Sequence, residues 1–142
     1  MSDHAALKLY ALVSTLVALH LVLLALWTGV VRTRHKTFVN PEDAVALKGK
    51  QVESDHADVL RVKRAHQNAM ENALPFFAIG LVYALSKPSM TGAYAYFFTF
   101  LGARVLHSVF YLLNMQPFRT IMFAVGVAAM IGMSVRVIMV SV

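Results

Sequence analysis

The sequence predicts an all-α integral membrane protein, a bundle of four transmembrane helices. Of its 142 residues, 58% are hydrophobic and only 14% are charged, and the mean hydropathy is +0.63. Soluble domains have roughly 45–50% apolar and about 25% charged residues. The charges also cluster, because residues 32–64 hold eight of the thirteen Lys and Arg residues and five of the seven Asp and Glu residues. The net charge of +6 alone would suit a nucleic-acid-binding protein, but this clustering argues against a soluble protein of that class.

The first transmembrane helix is predicted over Leu9–Val31, a run of 23 residues without Asp, Glu, Lys or Arg. As an α-helix this run is about 35 Å long, which exceeds the roughly 30 Å of the hydrocarbon layer. It is longer than the apolar part of a secretory signal peptide, about 7–15 residues, and no cleavage site of small residues follows it. We therefore expect a retained, tilted span.

A polar segment, residues 32–63, separates the first helix from the second. Within it Asn40 and Pro41 predict a turn and a helix start, because Asn caps helices and Pro suits the first helical position. The second long helix is expected to begin near residues 57–58. Its apolar part, Ala73–Leu85, has only 13 residues, so a span requires the polar residues 64–72 to continue the same helix into the membrane boundary.

Two further helices complete the predicted bundle. Residues 87–89 are expected to form a tight turn before the third helix, Met90–Met115. A short loop, residues 116–119, then leads to the fourth helix, Thr120–Val140. The sequence contains neither an internal repeat nor a domain linker, so residues 1–142 are expected to form a single domain.

The distribution of basic residues predicts the orientation of the bundle, since cytoplasmic loops are enriched in Lys and Arg. Residues 32–64 and Arg119 together supply nine basic residues, whereas only Lys8, Lys87 and Arg136 lie near the other membrane face. We therefore expect a multi-pass protein with both termini away from the cytoplasm and a polar site that opens towards it. We expect the host to be a bacterial inner membrane rather than the endoplasmic reticulum.

Polar residues recur at helical spacing inside two of the predicted spans. In the second helix, successive separations of 3, 4, 3 and 4 residues join Arg61, Arg64, Asn68, Glu71 and Pro75. In the third, separations of 3 and 4 join Arg104, His107 and Tyr111. Separations of three and four residues bring side chains onto one helix face. Pro75 is expected to kink the second helix.

The number of cations in these stripes predicts an anionic ligand. An ionisable residue in a span costs about 2.5–3.5 kcal/mol on insertion, so such residues should face the bundle interior and pair there. We expect Glu71 to pair with Arg104 or Arg64, which leaves positive charge unpaired. Arg119 at the mouth of the fourth helix adds to it. Taken singly, Arg119 also fits a positive-inside anchor and Thr120 a helix cap.

Metal and thiol chemistry by protein side chains are not predicted. The chain has no Cys, which excludes disulfides, thiolate metal sites and a protein thiol nucleophile. His4, His35 and His56 lack metal-ligand spacing, so no metal site is expected. His20, within the first span, is expected to be a satisfied or lipid-shielded side chain.

The string Arg61–Asn72, followed by Pro75 and Phe76, closely resembles the signature of the membrane-associated proteins in eicosanoid and glutathione metabolism (MAPEG). Residues 40–44, residues 102–108 with Tyr111, and residues 117–119 resemble the other motifs of that family, in the same order. The resemblance covers roughly residues 30–123. Within the family the sequence looks like the branch of microsomal glutathione transferases and prostaglandin E synthases, and residues 71–72 and 102–104 favour the transferase.

The resemblance implies a homotrimer of four-helix subunits, with the cofactor glutathione bound between neighbouring subunits near the cytoplasmic face. The residues that match the family's glutathione-binding positions are Arg32, Arg64, His66, Asn68, Glu71, Arg104, His107 and Tyr111. Arg119 matches the arginine that holds the thiolate, and Thr120 falls where the prostaglandin synthases have a serine. Asp43 matches an aspartate proposed to assist catalysis. Gln67 and Phe123 depart from the arginine and the tyrosine of the prostaglandin synthases, which speaks against prostaglandin isomerase activity.

The first hypothesis is thus a glutathione transferase acting on hydrophobic electrophiles from the bilayer, with glutathione-dependent peroxidase activity on lipid hydroperoxides as an additional reaction. A second is a small multidrug or proton-coupled transporter that uses Glu71 as its membrane carboxylate. The excess of arginine speaks against it. A third is a non-catalytic lipid-binding member of the same family, which the retention of Arg119 disfavours.

Overall fold

The computed structural model describes residues 4–142, which form five α-helices and one pair of two-residue strands. In chain order these are α1 (Ala5–His35), β1 (Thr37–Phe38), α2 (Pro41–Ala46), β2 (Lys50–Gln51), α3 (Ala57–Leu85), α4 (Met90–Leu112) and α5 (Phe118–Ser141). The four long helices pack side by side as one bundle, in which α4 contacts α1, α3 and α5. The predicted all-helical architecture is therefore confirmed.

An aromatic layer forms the centre of the bundle. The ring of Phe76 in α3 stacks on that of Phe100 in α4, with centroids 4.1 Å apart, and Phe97 meets Phe76 edge-on. Tyr10 from α1 joins the same layer and donates its hydroxyl to the carbonyl oxygen of Phe77 at 2.8 Å. These contacts join α1, α3 and α4 through close aromatic and van der Waals packing, which holds helices together also in a lipid environment.

Three of the described helices, α1, α4 and α5, are long and apolar enough to cross a membrane. Their outward faces fit a lipid environment: Leu19, Leu23 and Leu26 of α1 are 52%, 63% and 63% exposed. The chain is thus a multi-pass membrane protein. The remaining long helix, α3, has 29 residues and a length of about 43 Å, but it is not among these three, and its first half is polar.

The helix bounds differ from the predictions mainly at the polar ends. α1 continues four residues past Val31 to His35, and α3 begins at Ala57 as predicted. α5 begins at Phe118, so Thr120 lies within the first helical turn and is not the cap. The cap interpretation of Thr120 is wrong because Pro117 occupies that position.

The polar segment folds into a small unit that was not predicted from sequence. β1 and β2 pair in parallel, with Thr37 opposite Lys50 and Phe38 opposite Gln51. The predicted helix start at Pro41 is confirmed as the beginning of α2. A side chain at position 49 would collide with the buried ring of Phe38, so this tight connection requires glycine.

A buried carboxylate joins this unit to the bundle. Asp55, whose side chain is 4% exposed, accepts from Nε and Nη2 of Arg32 at 3.2 Å each and from Nζ of Lys63 at 3.1 Å. Burial alone would raise the pKa of the Asp55 carboxyl, but the hydrogen bonds from Lys63 and Arg32 outweigh it and hold the pKa below its usual range. The end of α1 and the first turns of α3 are thereby tied together.

Replacing Asp55 with Asn is expected to reduce the free energy of unfolding by about 2 kcal/mol at pH 7, because Arg32 and Lys63 lose their shared carboxylate. The pKa of Asp55 is lowered in the folded state. The stability from this carboxylate is therefore fully present above the unfolded-state pKa of about 3.9, and it is lost as the pH falls through the folded-state pKa. Thermal unfolding in detergent at pH 7 and at about pH 3 measures the difference.

Glu53→Gln, which changes an exposed carboxylate two residues away, is the matched control for Asp55→Asn. Equal losses in the two variants, or a loss in Asp55→Asn that is unchanged at low pH, would contradict the proposed role of Asp55.

Candidate functional site

The guanidinium of Arg104 lies at the contact between α4 and α5. It is 2% exposed, and its Nη2 donates to the carbonyl oxygens of Met122 at 3.2 Å and Phe123 at 3.0 Å. The guanidinium carbon also lies 5.4 Å from the centroid of the Phe123 ring. Gly126 leaves the space for this side chain, because a Cβ there would stand 2.6 Å from Nη2. Arg104 therefore clamps the two helices together.

The remaining N–H groups of Arg104 face the protein interior. Its Nε and Nη1 are buried and have no hydrogen-bond partner among residues 4–142. Arg104 lines neither of the cavities described next. Its observed bonds are thus structural, and a contact with glutathione stays a prediction.

Two small cavities adjoin on the polar side of α3, α4 and α5, and both are lined by Tyr111 and Arg119. We call them together the Arg119 site. The first, of about 250 Å³, is also lined by Ala57, Leu60, Arg61, Arg64 and Asn114. The second, of about 230 Å³, is also lined by Asn68, His107, Thr120 and Phe123. The structure therefore brings together six of the predicted site residues: Arg64, Asn68, His107, Tyr111, Arg119 and Thr120.

Two neighbours hold the Arg119 side chain at the wall common to both cavities. Its guanidinium carbon lies 4.5 Å from the centroid of the Tyr111 ring, a cation–π contact. The amide oxygen of Gln116, in the orientation that satisfies its surroundings, accepts from Nε at 3.3 Å and Nη2 at 2.6 Å of Arg119. The amide nitrogen of Gln116 then donates to the hydroxyl of Thr120 at 3.0 Å. Arg119 is thus preorganised in the first turn of α5.

The charge of the Arg119 site suits an anion. Its lining side chains include three arginines and no carboxylate. The first turn of α5, where Arg119 and Thr120 lie, adds the partial positive charge of a helix N-terminus. Tyr111, Asn68 and Asn114 add neutral groups that can donate hydrogen bonds. Such a set can bind carboxylates and stabilise a developing negative charge.

Glu71 and His66 lie elsewhere. They line an open groove of about 480 Å³ between α1 and α3, together with Lys63, Gln67 and Met70. Glu71 is exposed and accepts from Nε2 of Gln67 at 3.0 Å. The expected pairing of Glu71 with Arg104 or Arg64 is therefore wrong. The reason is helical geometry, because a step of three residues turns Glu71 about 60° away from Asn68 and towards α1.

Arg32 and Asp43 are also remote from the Arg119 site within one chain. Arg32 is engaged by Asp55, as described above. Asp43 accepts from Nδ2 of Asn40 at 3.1 Å and lies on α2, which contacts only β1 and β2. Their predicted roles in binding and catalysis stay predictions.

Three residues of this region were not assigned a role from sequence. Arg61 and Asn114 line the first cavity, and Gln116 orients Arg119. Arg61 had a signal, its place in the polar stripe, but the other two lie in a loop without periodicity. His20, as expected, is satisfied: its Nε2 lies 2.9 Å from the hydroxyl of Ser108 in α4.

The structure groups three side chains that the sequence spacing did not connect. The rings of His35 and His56 stack with centroids 3.6 Å apart, and one ligand atom from each lies within 4.8 Å of a carboxylate oxygen of Asp58. These groups already bond one another, because His35 Nε2 lies 3.1 Å from Asp58 and His56 Nδ1 accepts from the Asp58 backbone N–H. The absence of a metal site stays a prediction.

The sequence is similar to those of known proteins along nearly its whole length. The sequence profile of the MAPEG family matches residues 10–139. Human microsomal glutathione S-transferase 1 is 37% identical over 96% of this chain and 91% of its own length, and the rat protein of that name is 35% identical over the same shares. Human prostaglandin E synthase is 37% identical over 94% of this chain and 88% of its own length.

Replacing Gly126 with Ala is expected to displace the Arg104 guanidinium and to reduce the free energy of unfolding by about 1–3 kcal/mol, as overpacking does. Gly29→Ala is the control, because a Cβ there has no heavy atom within 4 Å. A helical Ala in place of Gly should there be neutral or stabilising by up to about 1 kcal/mol. Thermal unfolding of both variants in detergent makes the comparison, and equal stability of the two would contradict the clamp.

Proposed function

The chain belongs to the MAPEG family, and we propose that it is a membrane-bound glutathione transferase that joins the sulfur of glutathione to hydrophobic electrophiles. The observation that carries the proposal is the Arg119 site: a preorganised arginine among further cations, without a carboxylate in the lining. The names of the similar proteins, which include glutathione transferases over nearly the whole chain, support it.

Glutathione complements the charges of the site. It carries two carboxylates, one ammonium group and one thiol. Arg64 in the first cavity suits one carboxylate, since arginine binds carboxylates through paired hydrogen bonds. Arg61 suits the other, because its own ion pair with Asp58 is long, at 3.8 Å, and exposed. Glutathione is consumed in conjugation, so its role here is that of a co-substrate rather than of a resident cofactor.

Arg119 is proposed to stabilise the thiolate. A free thiol has a pKa of about 8.5, which an adjacent cation lowers, so a larger fraction is ionised at neutral pH. The thiolate sulfur then attacks the electrophilic carbon, a C–S bond forms, and the leaving group departs with its electron pair. Since the chain has no Cys, the sulfur nucleophile belongs to glutathione.

The side chains around Arg119 favour conjugation over isomerisation. Phe123 lines the second cavity beside His107 and Thr120, and it offers no hydroxyl there. Asn68, His107 and Tyr111 are proposed to position glutathione. Peroxidase activity on lipid hydroperoxides is proposed as an additional reaction of the same thiolate: its sulfur attacks the peroxide oxygen, the O–O bond breaks and the lipid alcohol leaves, and a second glutathione converts the resulting sulfenic acid to glutathione disulfide and water. The transporter hypothesis is weaker, because Glu71 is exposed and bonded to Gln67.

A homotrimer would unite the remaining predicted site residues with the Arg119 site. Glu71 and His66 lie in the groove between α1 and α3, on a different surface of the same chain. Exposed charged groups at membrane depth are costly unless protein covers them. We propose that a neighbouring subunit covers this groove, so that Glu71 meets the ammonium group of glutathione and Arg32, His66 and Asp43 complete the site.

The topology that we propose has four spans, one domain of residues 1–142, and the site at the cytoplasmic face. α3 packs between the apolar helices, and its length of about 43 Å suffices to cross the hydrocarbon layer. The Arg119 site lies at the same end of the bundle as the basic segment of residues 32–64. We propose that this end faces the cytoplasm, because cytoplasmic loops are enriched in Lys and Arg. A bacterial inner membrane is the proposed host.

Arg119→Ala is expected to lower conjugation of an aryl halide by about 10²–10³-fold, because the thiolate loses its main electrostatic partner. Binding of glutathione should change little, since Arg61 and Arg64 remain. Stopped-flow absorbance at the thiolate band of purified protein mixed with glutathione measures ionisation, and product absorbance measures turnover.

Arg136→Ala, which removes an arginine far along α5, is the matched control. Unchanged turnover in Arg119→Ala would refute the assignment, and the absence of thiolate and conjugate in the wild type would refute the proposed activity.

Mixed oligomers test the shared site. Glu71→Gln and Arg119→Ala should each be poorly active alone. If each site takes Glu71 from one subunit and Arg119 from its neighbour, co-expressed variants should recover about a quarter of wild-type turnover, because about one site in four combines two intact residues. Separately purified variants mixed in detergent serve as the control. Recovery no greater than the sum of the two variants would contradict the arrangement.

A further inference from the structure

A groove of about 430 Å³ lies between the ends of α1, α3 and α4, next to the Arg119 site, with which it shares Arg61. Its inner part is apolar, with Trp27 and Val31 from α1, Val62 from α3 and Leu112 from α4. The volume is within the usual range for a ligand pocket, roughly 300–1,000 Å³. We call it the α1–α4 groove.

The mouth of the α1–α4 groove is positively charged. It is lined by Arg34, His35, Asp58 and Arg61. The carboxylate of Asp58 is already engaged by His35 at 3.1 Å and by Arg61 at 3.8 Å. The positive charge of Arg34 is therefore not neutralised by Asp58.

Arg34 is held in position without an acidic partner. Its guanidinium carbon lies 5.2 Å from the centroid of the Trp27 ring. Within residues 4–142 it forms no ion pair. A cation over an aromatic face keeps its N–H groups free at the edge for an anion.

The level of these residues along α1 matches the membrane interface. The uncharged run of α1 ends at Val31, so Arg34 stands about 4.5 Å beyond it, where headgroups lie, and Trp27 about one turn within it. Tryptophan concentrates at this level. The groove thus presents an apolar wall at acyl-chain depth and a free cation at headgroup depth.

We infer that the α1–α4 groove binds one anionic phospholipid, with its phosphate at Arg34 and an acyl chain along Trp27, Val31 and Leu112. A basic residue at an anionic membrane surface favours such lipids. A free phosphate would leave the apolar wall exposed, and a zwitterionic lipid would bring an ammonium group to a mouth that is already cationic. The inference requires a membrane-embedded chain but no glutathione chemistry.

Trp27 makes the inference directly measurable, because it is the only Trp of the chain and lines the groove. The protein is reconstituted in vesicles of phosphatidylcholine and phosphatidylglycerol in which one or the other carries brominated acyl chains, which quench Trp fluorescence on contact. We expect brominated phosphatidylglycerol to occupy the quenching site about fivefold more readily than brominated phosphatidylcholine, as one basic residue at the surface predicts.

Three variants locate the preference. Arg34→Gln should reduce it to about one- to twofold, and Arg34→Lys, which keeps the charge, should retain most of it. Arg136→Gln removes an arginine in the last third of α5 and should keep the full preference. Circular dichroism checks that each variant keeps its helix content.

Several outcomes would overturn the inference. Equal quenching by the two lipids would show a groove without headgroup selection. Quenching by neither would show that a second copy of the chain covers the groove. Loss of the preference on addition of inorganic phosphate at constant ionic strength would point to a free anion instead. If Arg136→Gln lost the preference for phosphatidylglycerol and Arg34→Gln kept it, the lipid would bind at Arg136 and not in the α1–α4 groove.

Discussion

The position of the candidate site depends on the buried guanidinium of Arg104. It bonds two backbone carbonyls of α5 from within α4, and Gly126 provides its space. Within residues 4–142 the buried guanidinium makes only these two hydrogen bonds, and losing them would leave a buried cation without a partner, so these helices have little freedom to slide past each other. Because Tyr111 lies near the end of α4 and Arg119 at the start of α5, the same contact sets the distance across the Arg119 site.

The surplus of positive charge serves separate purposes along the chain. Arg32 and Lys63 are used by Asp55 to fasten α1 to α3. Arg64 and Arg119 face a cavity without carboxylates, where an anionic thiol compound is proposed to react. Arg34 remains free at a groove of a different shape. Arg61 lines both the groove and the cavity, so lipid occupancy and the reactive site share one wall.

Sequence patterns predicted the helices better than they predicted which side chains contact each other. The start of α3, the polar stripe and the family were all readable, because helical periodicity and motif spacing are properties of the chain itself. The predicted pairing of Glu71 was wrong. Residues spaced by three and four positions cover a wide helix face, and a residue at the edge of that face, such as Glu71, can lie against a different helix. Gln116 and the parallel strands were missed because loop residues and two-residue strands have no periodic signal.

By itself the sequence determined a helical membrane protein of the MAPEG family, with a cluster of arginines and no thiol of its own. These follow from composition and from residue order, which need no knowledge of packing. Only the tertiary structure decided which arginines bond to other groups of the protein and which are free to bind a ligand. Arg104 and Arg32 bond to backbone carbonyls and to Asp55, whereas Arg34 and Arg64 face open space. The physical reason is that a guanidinium's partner is set by the helix packed against it, and that neighbour is not written in local sequence.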